Sequence, residues 1–307
     1  MNVVTATKAG APARKCMLSR MPDPHQLRPA DVLRRMEGAA EEFGRADFVH
    51  AATLDGIVER LAPMQFAPRR ILDLGAVSGS GARLKKRFPR SEIVALQASP
   101  GMLRRSLPGK RLFSRRPAVQ ANAATLPFQN ASFDLVIANL SLTLAGDLPT
   151  TLAGVARVLN KGGVFAFATP GPDTLAELRA AWASVDDDAH VAAFTDMHDI
   201  GDAVLRAGLA DPVLDVDTLK VTYANAPDLF RDLTRLGARN SLQTRRRGLT
   251  GKTRFARMQA ALEQFREDGL IGITVELVFG HAWGSGPRPG GGEIRIDAGT
   301  IPHRRRR

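Results

Sequence analysis

Cysteine is nearly missing: Cys16 is the only one in 307 residues. One thiol excludes an internal disulfide and a Cys-rich zinc cluster, and a reducing compartment such as the cytoplasm fits. No run of about 18 apolar residues occurs, so a membrane-spanning helix is excluded. The apolar core of a secretory signal is absent too. Aromatic residues make up only 6% and are not interleaved with the basic ones, so no base-stacking platform is present. Residues 1–21 contain no acid.

Basic charge, by contrast, is plentiful. Lys and Arg number 43 against 31 Asp and Glu, a formal net charge of +12. That favours acidic partners, and the lack of stacking aromatics makes nucleic acid the weaker choice among them. Hydrophobic residues at 44% and charged residues at 24% are ordinary for a globular chain, and the length suits one large α/β domain with an insert. Residues 1–30 read as a disordered basic tail. A mitochondrial transit peptide has the same composition, and only in that case would the matrix replace the cytoplasm. "GPRPGGG" and the terminal "HRRRR" make 286–307 a flexible basic tail.

Between the tails the periodicity changes twice. Val32, Leu33, Met36, Ala40 and Phe43, then Phe48, Ala51, Leu54, Ile57, Val58 and Leu61, recur at helical spacing and predict two amphipathic helices. Strands and helices then alternate: strands at 71–74, 93–96, 118–121, 133–139 and 164–168, helices at 79–88, 100–106 and 150–159. "NKGG", Asn160 to Gly163, marks a glycine turn between helix and strand. Such alternation predicts a parallel sheet covered on both faces. Beyond Pro170, helices are expected at 173–184, 197–208, 227–236 and 251–268, and strands at 213–223 and 273–281.

In an open parallel sheet the ligand site lies beyond the carboxyl ends of the strands. After the first strand stand Asp73, Gly75 and Gly79; after the second, Gln97 and Ala98; after the third, Asn122 and Ala123; after the fourth, Asn139. For an adenosyl ligand each place has a task. The glycines admit close backbone approach and the free N–H groups of a helix start. Gln97 would bond ribose hydroxyls, Asn122 would accept from the adenine amino group, and Asn139 would line the reactive centre.

"ILDLG", "SPGML", "ATLPF", "FDLVIANLSL" and "RVLNKGGVFAFAT" resemble the class I S-adenosylmethionine-dependent methyltransferases. The later blocks "GPDTLAELRAAW", "VTYANAPDLFRDLTRLGARN", "RRRGLTGK" and "VELVFGHAWG" resemble, more narrowly, the malonyl-[acyl-carrier protein] O-methyltransferases of biotin synthesis. The resemblance implies a Rossmann-like α/β fold with a seven-stranded, mainly parallel sheet. It also implies a helical lid at 31–66 and a methyltransferase-like domain at 67–285, with a helical insert at 226–270. S-adenosylmethionine is the implied cofactor and an acidic acyl-carrier protein the implied partner. A related assembly hydroxylase shares the scaffold.

This chain departs from the family pattern at the pocket. Val77 replaces a loop glycine, Gln97 an acid, Asn122 an Asp, and Thr143–Leu144 a Gln-Trp pair; the Tyr common in the N-terminal helices is absent near Val49. Losing the charge-assisted bond at Gln97 weakens cofactor binding by roughly one to two decades. Two readings follow: a carboxyl O-methyltransferase, or a non-catalytic paralogue that keeps the scaffold as a binding protein.

The basic residues Arg239, Arg245, Arg246, Arg247, Lys252 and Arg254 form a solvated face or a dock for the carrier protein, with one Arg turned inward toward the malonyl carboxylate. His281 and Trp283 read as core residues of the last strand. His190 and His198 lack metal-ligand spacing, so no metal is expected.

Overall fold

The computed structural model describes residues 26–107 and 116–286. Cys16 and most of both tails therefore lie outside the described residues. The tail boundary expected at residue 30 falls within ordered chain. Leu27 bridges Leu242, the Arg28 N–H donates to the Ser241 carbonyl, and helix α1 (Pro29–Ala39) starts with proline in its first turn.

One sheet organises the molecule. Its parallel part contains β1 (Arg70–Leu74), β2 (Glu92–Gln97), β3 (Ala118–Gln120), β4 (Phe133–Asn139) and β5 (Leu159–Pro170). The long strands β6 (Leu209–Tyr223) and β8 (Leu270–Gly284) complete it in the order β3-β2-β1-β4-β5-β8-β6, with β8 antiparallel to both neighbours. An eighth strand, β7 (Arg266–Glu267), pairs with the start of β8. The expected seven-stranded, mainly parallel sheet is thus present with this short hairpin added.

Successive strand residues point to opposite faces, and the burial follows that period of two. Leu72, Leu74, Val94, Leu96, Val136 and Phe165 pack on one face against Leu152 and Val155 of α5 (Leu148–Val158) and Ile200 and Val204 of α7 (Met197–Arg206). Ile71, Ile93, Leu135, Ile137 and Val164 pack on the other against Leu54 and Ile57 of α2 (Phe48–Leu61) and Leu84 of α3 (Ser80–Arg87). A third cluster joins Leu178 and Trp182 of α6 (Ala176–Ala183), Leu229 of α8 (Ala226–Arg235) and Met258 and Leu262 of α9 (Lys252–Leu262) to Ile271 and Ile273 of β8. The helices between β6 and β8 therefore sit over the extended ends of those two strands.

Some expected boundaries shift. The helix expected to reach Asp268 stops at Leu262, because Asp268 (φ 49°) and Gly269 (φ 79°) turn the chain into the β7–β8 hairpin. Asp-Gly at two positive φ angles is a tight hairpin turn. The helix expected from Asp173 begins at Ala176, after Leu175 at φ 60°. Leu33 and Phe48, placed on apolar faces by spacing, are 42% and 45% exposed, while Val32, Met36 and Phe43 are buried. "NKGG" lies within β5, where Gly162 takes φ 72° and the pairing with β4 shifts register.

Candidate functional site

Four of the expected polar residues stand at the carboxyl ends of adjacent parallel strands: Asp73 in β1, Gln97 ending β2, Asn122 beyond β3 and Asn139 ending β4. Between them lies a narrow cleft of about 60 Å³. Gly75, Gln97, Ala98, Asn122, Ala123 and Asn139 line it, as do Val77 and His50; Asp73 and Gly79, expected at the site, do not.

Each wall residue has a local cause. Gly75 takes φ 83°, and a Cβ there would lie 2.3 Å from Ser141 Cβ. Ser141 is fixed because its hydroxyl donates to the Leu74 carbonyl at 2.6 Å. Only glycine meets both demands. Gly79 takes φ 79° as the residue preceding α3 and has open space around it, so backbone conformation alone explains it. Asp73 is buried and accepts from Ser80 Oγ at 2.6 Å. Burial raises its pKa to about 6, against the opposing effects of that hydrogen bond and of Arg116. Arg116 reaches the loop because Gly81 has no side chain: a Cβ there would overlap its guanidinium.

Gln97 is less available than its position suggests. Its Oε1 accepts from the N–H groups of Ala98 and Ser99, and its Nε2 donates to the Ala76 carbonyl at 3.2 Å. One amide N–H remains for a ligand. Asn122 Oδ1 accepts from the Ala124 N–H at 3.0 Å and keeps a second lone pair. Asn139 donates Nδ2 to the His50 carbonyl at 2.8 Å, but its Oδ1 is buried without a partner. His50 Nδ1 is likewise buried and unpartnered. Burial holds the His50 pKa down to about 4, so its ring is neutral at pH 7. Next to Asn139, Leu140 takes the left-handed φ of 54°, a strained placement for a side chain of this kind.

Val77 is buried and packs with Val32, Met36, Phe43 and Met102 while also lining the cleft. It belongs to the joint between the N-terminal helices and the loop. That joint is reinforced by Glu37 of α1, which accepts from Ser99 Oγ at 2.5 Å and from the Gly101 N–H at 2.8 Å at the start of α4 (Pro100–Ser106).

A second cavity, of about 1310 Å³, adjoins the cleft. Met36, His50, Leu140 and Leu144 line both. Its far wall is apolar, with Leu178, Leu229, Phe230, Ile273 and Leu277, and loop residues Arg245, Arg246, Gly248 and Thr250 also line it.

A methyltransferase domain model matches residues 72–167. The malonyl-[acyl-carrier protein] O-methyltransferase of Halorhodospira halophila is 43% identical over 283 residues, covering 90% of this chain and 96% of that protein. The chain belongs to that family. The enzyme of the same name from Laribacter hongkongensis is 42% identical over 82% of this chain and 88% of its own length. Among solved structures, the YcgJ protein of Bacillus subtilis superposes with a TM-score of 0.53 at 16% identity, covering 76% of this chain and 98% of that one. Phosphoethanolamine N-methyltransferase 2 of Haemonchus contortus, solved with S-adenosyl-L-methionine, gives 0.52 at 16% identity over 84% of this chain and 60% of its own. At such identity these two establish the shared methyltransferase fold alone.

The family's basic block does not form one free surface. Arg245 turns inward to Asp31 at 2.9 Å, and Arg254 pairs with both Asp186 and Asp188. Arg246 lies 3.5 Å from Asp188, while Arg247 and Lys252 are exposed. Asp186, Asp188 and His190 lie within metal-ligating reach of one another, so His190, expected to lack partners at ligand spacing, has them two and four residues earlier in the chain. Arg254 already pairs with both carboxylates. His190, which lines the large cavity, bonds Asp186 at 2.7 Å and stacks on Trp182 with ring centroids 3.7 Å apart. His281 and Trp283 stand partly buried in β8, opposite Ala166 and Val164. Among the described residues no helix is long and apolar enough to cross a membrane.

His50 and Arg35 escaped the sequence reading. His50 follows Val49, beside the place where the family's Tyr was sought, and no pattern marks a histidine within an amphipathic helix as cavity-lining. Arg35 stands next to Arg34 in α1, and only the fold distinguishes the two.

Proposed function

We propose that the chain is a working carboxyl O-methyltransferase that takes malonyl-acyl-carrier protein as substrate and S-adenosylmethionine as methyl donor, in the cytoplasm. The observation that carries this is the junction: a cleft at the strand ends meets a cavity of about 1310 Å³ at His50, Met36, Leu140 and Leu144. One ligand can enter each space and the two can react where they meet. The non-catalytic reading is weaker, because relatives named as transferases match nearly the whole chain.

The cleft wall fits the cofactor in chemistry. Gly75 and Gly79 shape the loop, Asn122 can accept from the adenine amino group, and the remaining Gln97 N–H can reach a ribose oxygen. Ala98 and Ala123 add apolar wall, and the orphaned Asn139 Oδ1 faces the reactive end. At about 60 Å³ the cleft is small beside ordinary ligand pockets of roughly 300–1,000 Å³. Binding therefore requires the Met36–Val77 joint to yield. When bound, the cofactor supplies a sulfonium methyl group; a carboxylate oxygen forms the new C–O bond as the C–S bond breaks, the electron pair goes to sulfur, and both charges vanish without a proton transfer.

The protein's tasks are then positioning and exclusion of water. No general base is needed, which agrees with a buried His50 whose pKa, held down to about 4, makes it a weak proton acceptor. The basic loop that lines the cavity also presents Arg246, Arg247, Lys252 and Leu249, the last 96% exposed. This combination suits an acidic, partly apolar carrier-protein face, and docking there would direct the acyl arm inward.

Calorimetric titration of the purified chain with S-adenosylmethionine tests the reading. Saturable binding that Gly79→Val abolishes is expected. Folded wild type that takes up neither the cofactor nor its demethylated product overturns it.

A further inference from the structure

Four arginines line the large cavity, Arg35, Arg239, Arg245 and Arg246, the last lying 3.5 Å from Asp188. Arg245 shares Asp31 with Arg34. Among the described residues, Arg35 and Arg239 make no direct ion pair with an acid, although Asp31 acts on Arg35 from a greater distance. Arg35 donates Nη2 to the Asn240 carbonyl at 2.6 Å, and its Nε is buried with no partner at all. Arg239 donates to Thr234 Oγ1 at 3.0 Å and lies over the Phe230 ring at 5.7 Å. Burial, then the like charges of Arg245 and Arg239, push the Arg35 pKa down, against the smaller opposing effect of Asp31. A partly buried cation that makes no direct ion pair and faces two other cations, with Asp31 already shared by Arg34 and Arg245, favours the arrival of an anion.

We propose that Arg35, supported by Arg239, binds the free carboxylate of the acyl substrate and so selects a diacid thioester over a neutral one. This rests on the carboxyl-methyltransferase reading and names the residue that recognises the reacting group. Position favours the carboxylate over the phosphate of the carrier's prosthetic arm. Met36, the next residue, lines both cavities, so Arg35 stands beside the junction where the nucleophile must lie. The phosphate lies at the opposite end of that arm.

The geometry also leaves the nucleophile usable. The Asn240 carbonyl takes one of the five guanidinium N–H groups; a single charge-assisted bond from the unpartnered Nε–H to one carboxylate oxygen would leave the second oxygen available for attack. Methylation removes the charge that Arg35 holds. The ester product therefore binds more weakly than the acid, which helps it leave.

Binding of acyl-carrier protein loaded with malonyl, malonyl methyl ester or acetyl groups, measured in the presence of S-adenosylhomocysteine, tests this without turnover. Wild type should prefer malonyl over both neutral forms by about tenfold or more, a ratio typical of a charge-assisted bond. Arg35→Gln should erase that preference and leave acetyl binding unchanged; Arg35→Lys should keep part of it. Equal weakening of all three forms by Arg35→Gln would assign the cation to the arm's phosphate and overturn the proposal. So would a wild type without preference. Should Arg35→Gln fail to fold, Arg239→Gln leaves α1 intact and should show a smaller loss of the same preference; an unchanged preference there overturns the proposal as well. If wild type methylates malonyl-carrier protein and Arg35→Gln keeps both rate and preference, the inference alone fails. If folded wild type methylates nothing, the functional reading fails first.

Discussion

Replacing Gly75 by Ala tests how the loop is fixed. The new Cβ would lie 2.3 Å from Ser141 Cβ, at φ 83°. The left-handed backbone costs an L-residue about 1–2 kcal/mol. Forcing apart two groups in a packed wall adds about 1–3 kcal/mol. Gly75→Ala should therefore destabilise the chain by about 2–5 kcal/mol. Ser141→Gly alone loses the bond to the Leu74 carbonyl and costs about 1 kcal/mol. In the double variant the steric part disappears and the backbone part remains, so the pair should show a favourable coupling of about 2 kcal/mol. Urea unfolding of the four proteins measures it. A stable Gly75→Ala protein, or additive effects in the double variant, would refute the placement of Ser141 against the loop.

Val77→Ala should loosen the joint with Met36, lowering stability by about 2 kcal/mol while tightening S-adenosylmethionine binding from a wild-type affinity in the high micromolar range or weaker; paired melting and calorimetry check both, and unchanged affinity would show that Val77 does not limit the cleft. Charge reversal at Arg246 and Arg247 together, or Leu249→Asp, should weaken carrier-protein binding, the former with steep salt dependence; binding measured at two ionic strengths decides it. Two buried groups oppose each other in pH. Asp73, raised to about 6 from 3.8, favours the folded state below its unfolded pKa and loses that contribution as pH rises through 6. His50, lowered to about 4 from 6.5, stabilises above its unfolded pKa and loses that contribution as pH falls toward 4. Asp73→Asn should thus gain stability relative to wild type from pH 4 to pH 6, by up to about 3 kcal/mol, in denaturation curves taken across that range.

The parallel half of the fold was legible because alternation and burial coincide: Ile71 and Leu72 are both buried, but on opposite faces of β1. The strand-end residues were legible for the same reason, since topology alone carries Gln97, Asn122 and Asn139 to one edge. What sequence could not rank was which side chains a third element occupies. Gln97 turned onto its own loop, Arg245 onto Asp31, and Val77 into the helical joint, each through a contact distant in sequence or made by the backbone. The Asp268–Gly269 turn carried a readable local signal, masked by the helical pattern that precedes it. Leu33 and Phe48 fit a helical stripe, yet they remain 42% and 45% exposed among the described residues.

The central claim is that the two cavities meet to methylate a carboxylate. Incubating the purified chain with S-adenosylmethionine and malonyl-acyl-carrier protein, and reading the intact mass of the carrier, tests it most directly. The account predicts a gain of one methyl group in place of the carboxyl proton on the malonyl form, reversed by mild ester hydrolysis, and none on the acetyl form. No mass gain from folded protein saturated with cofactor, or an equal gain on the acetyl form, would contradict it.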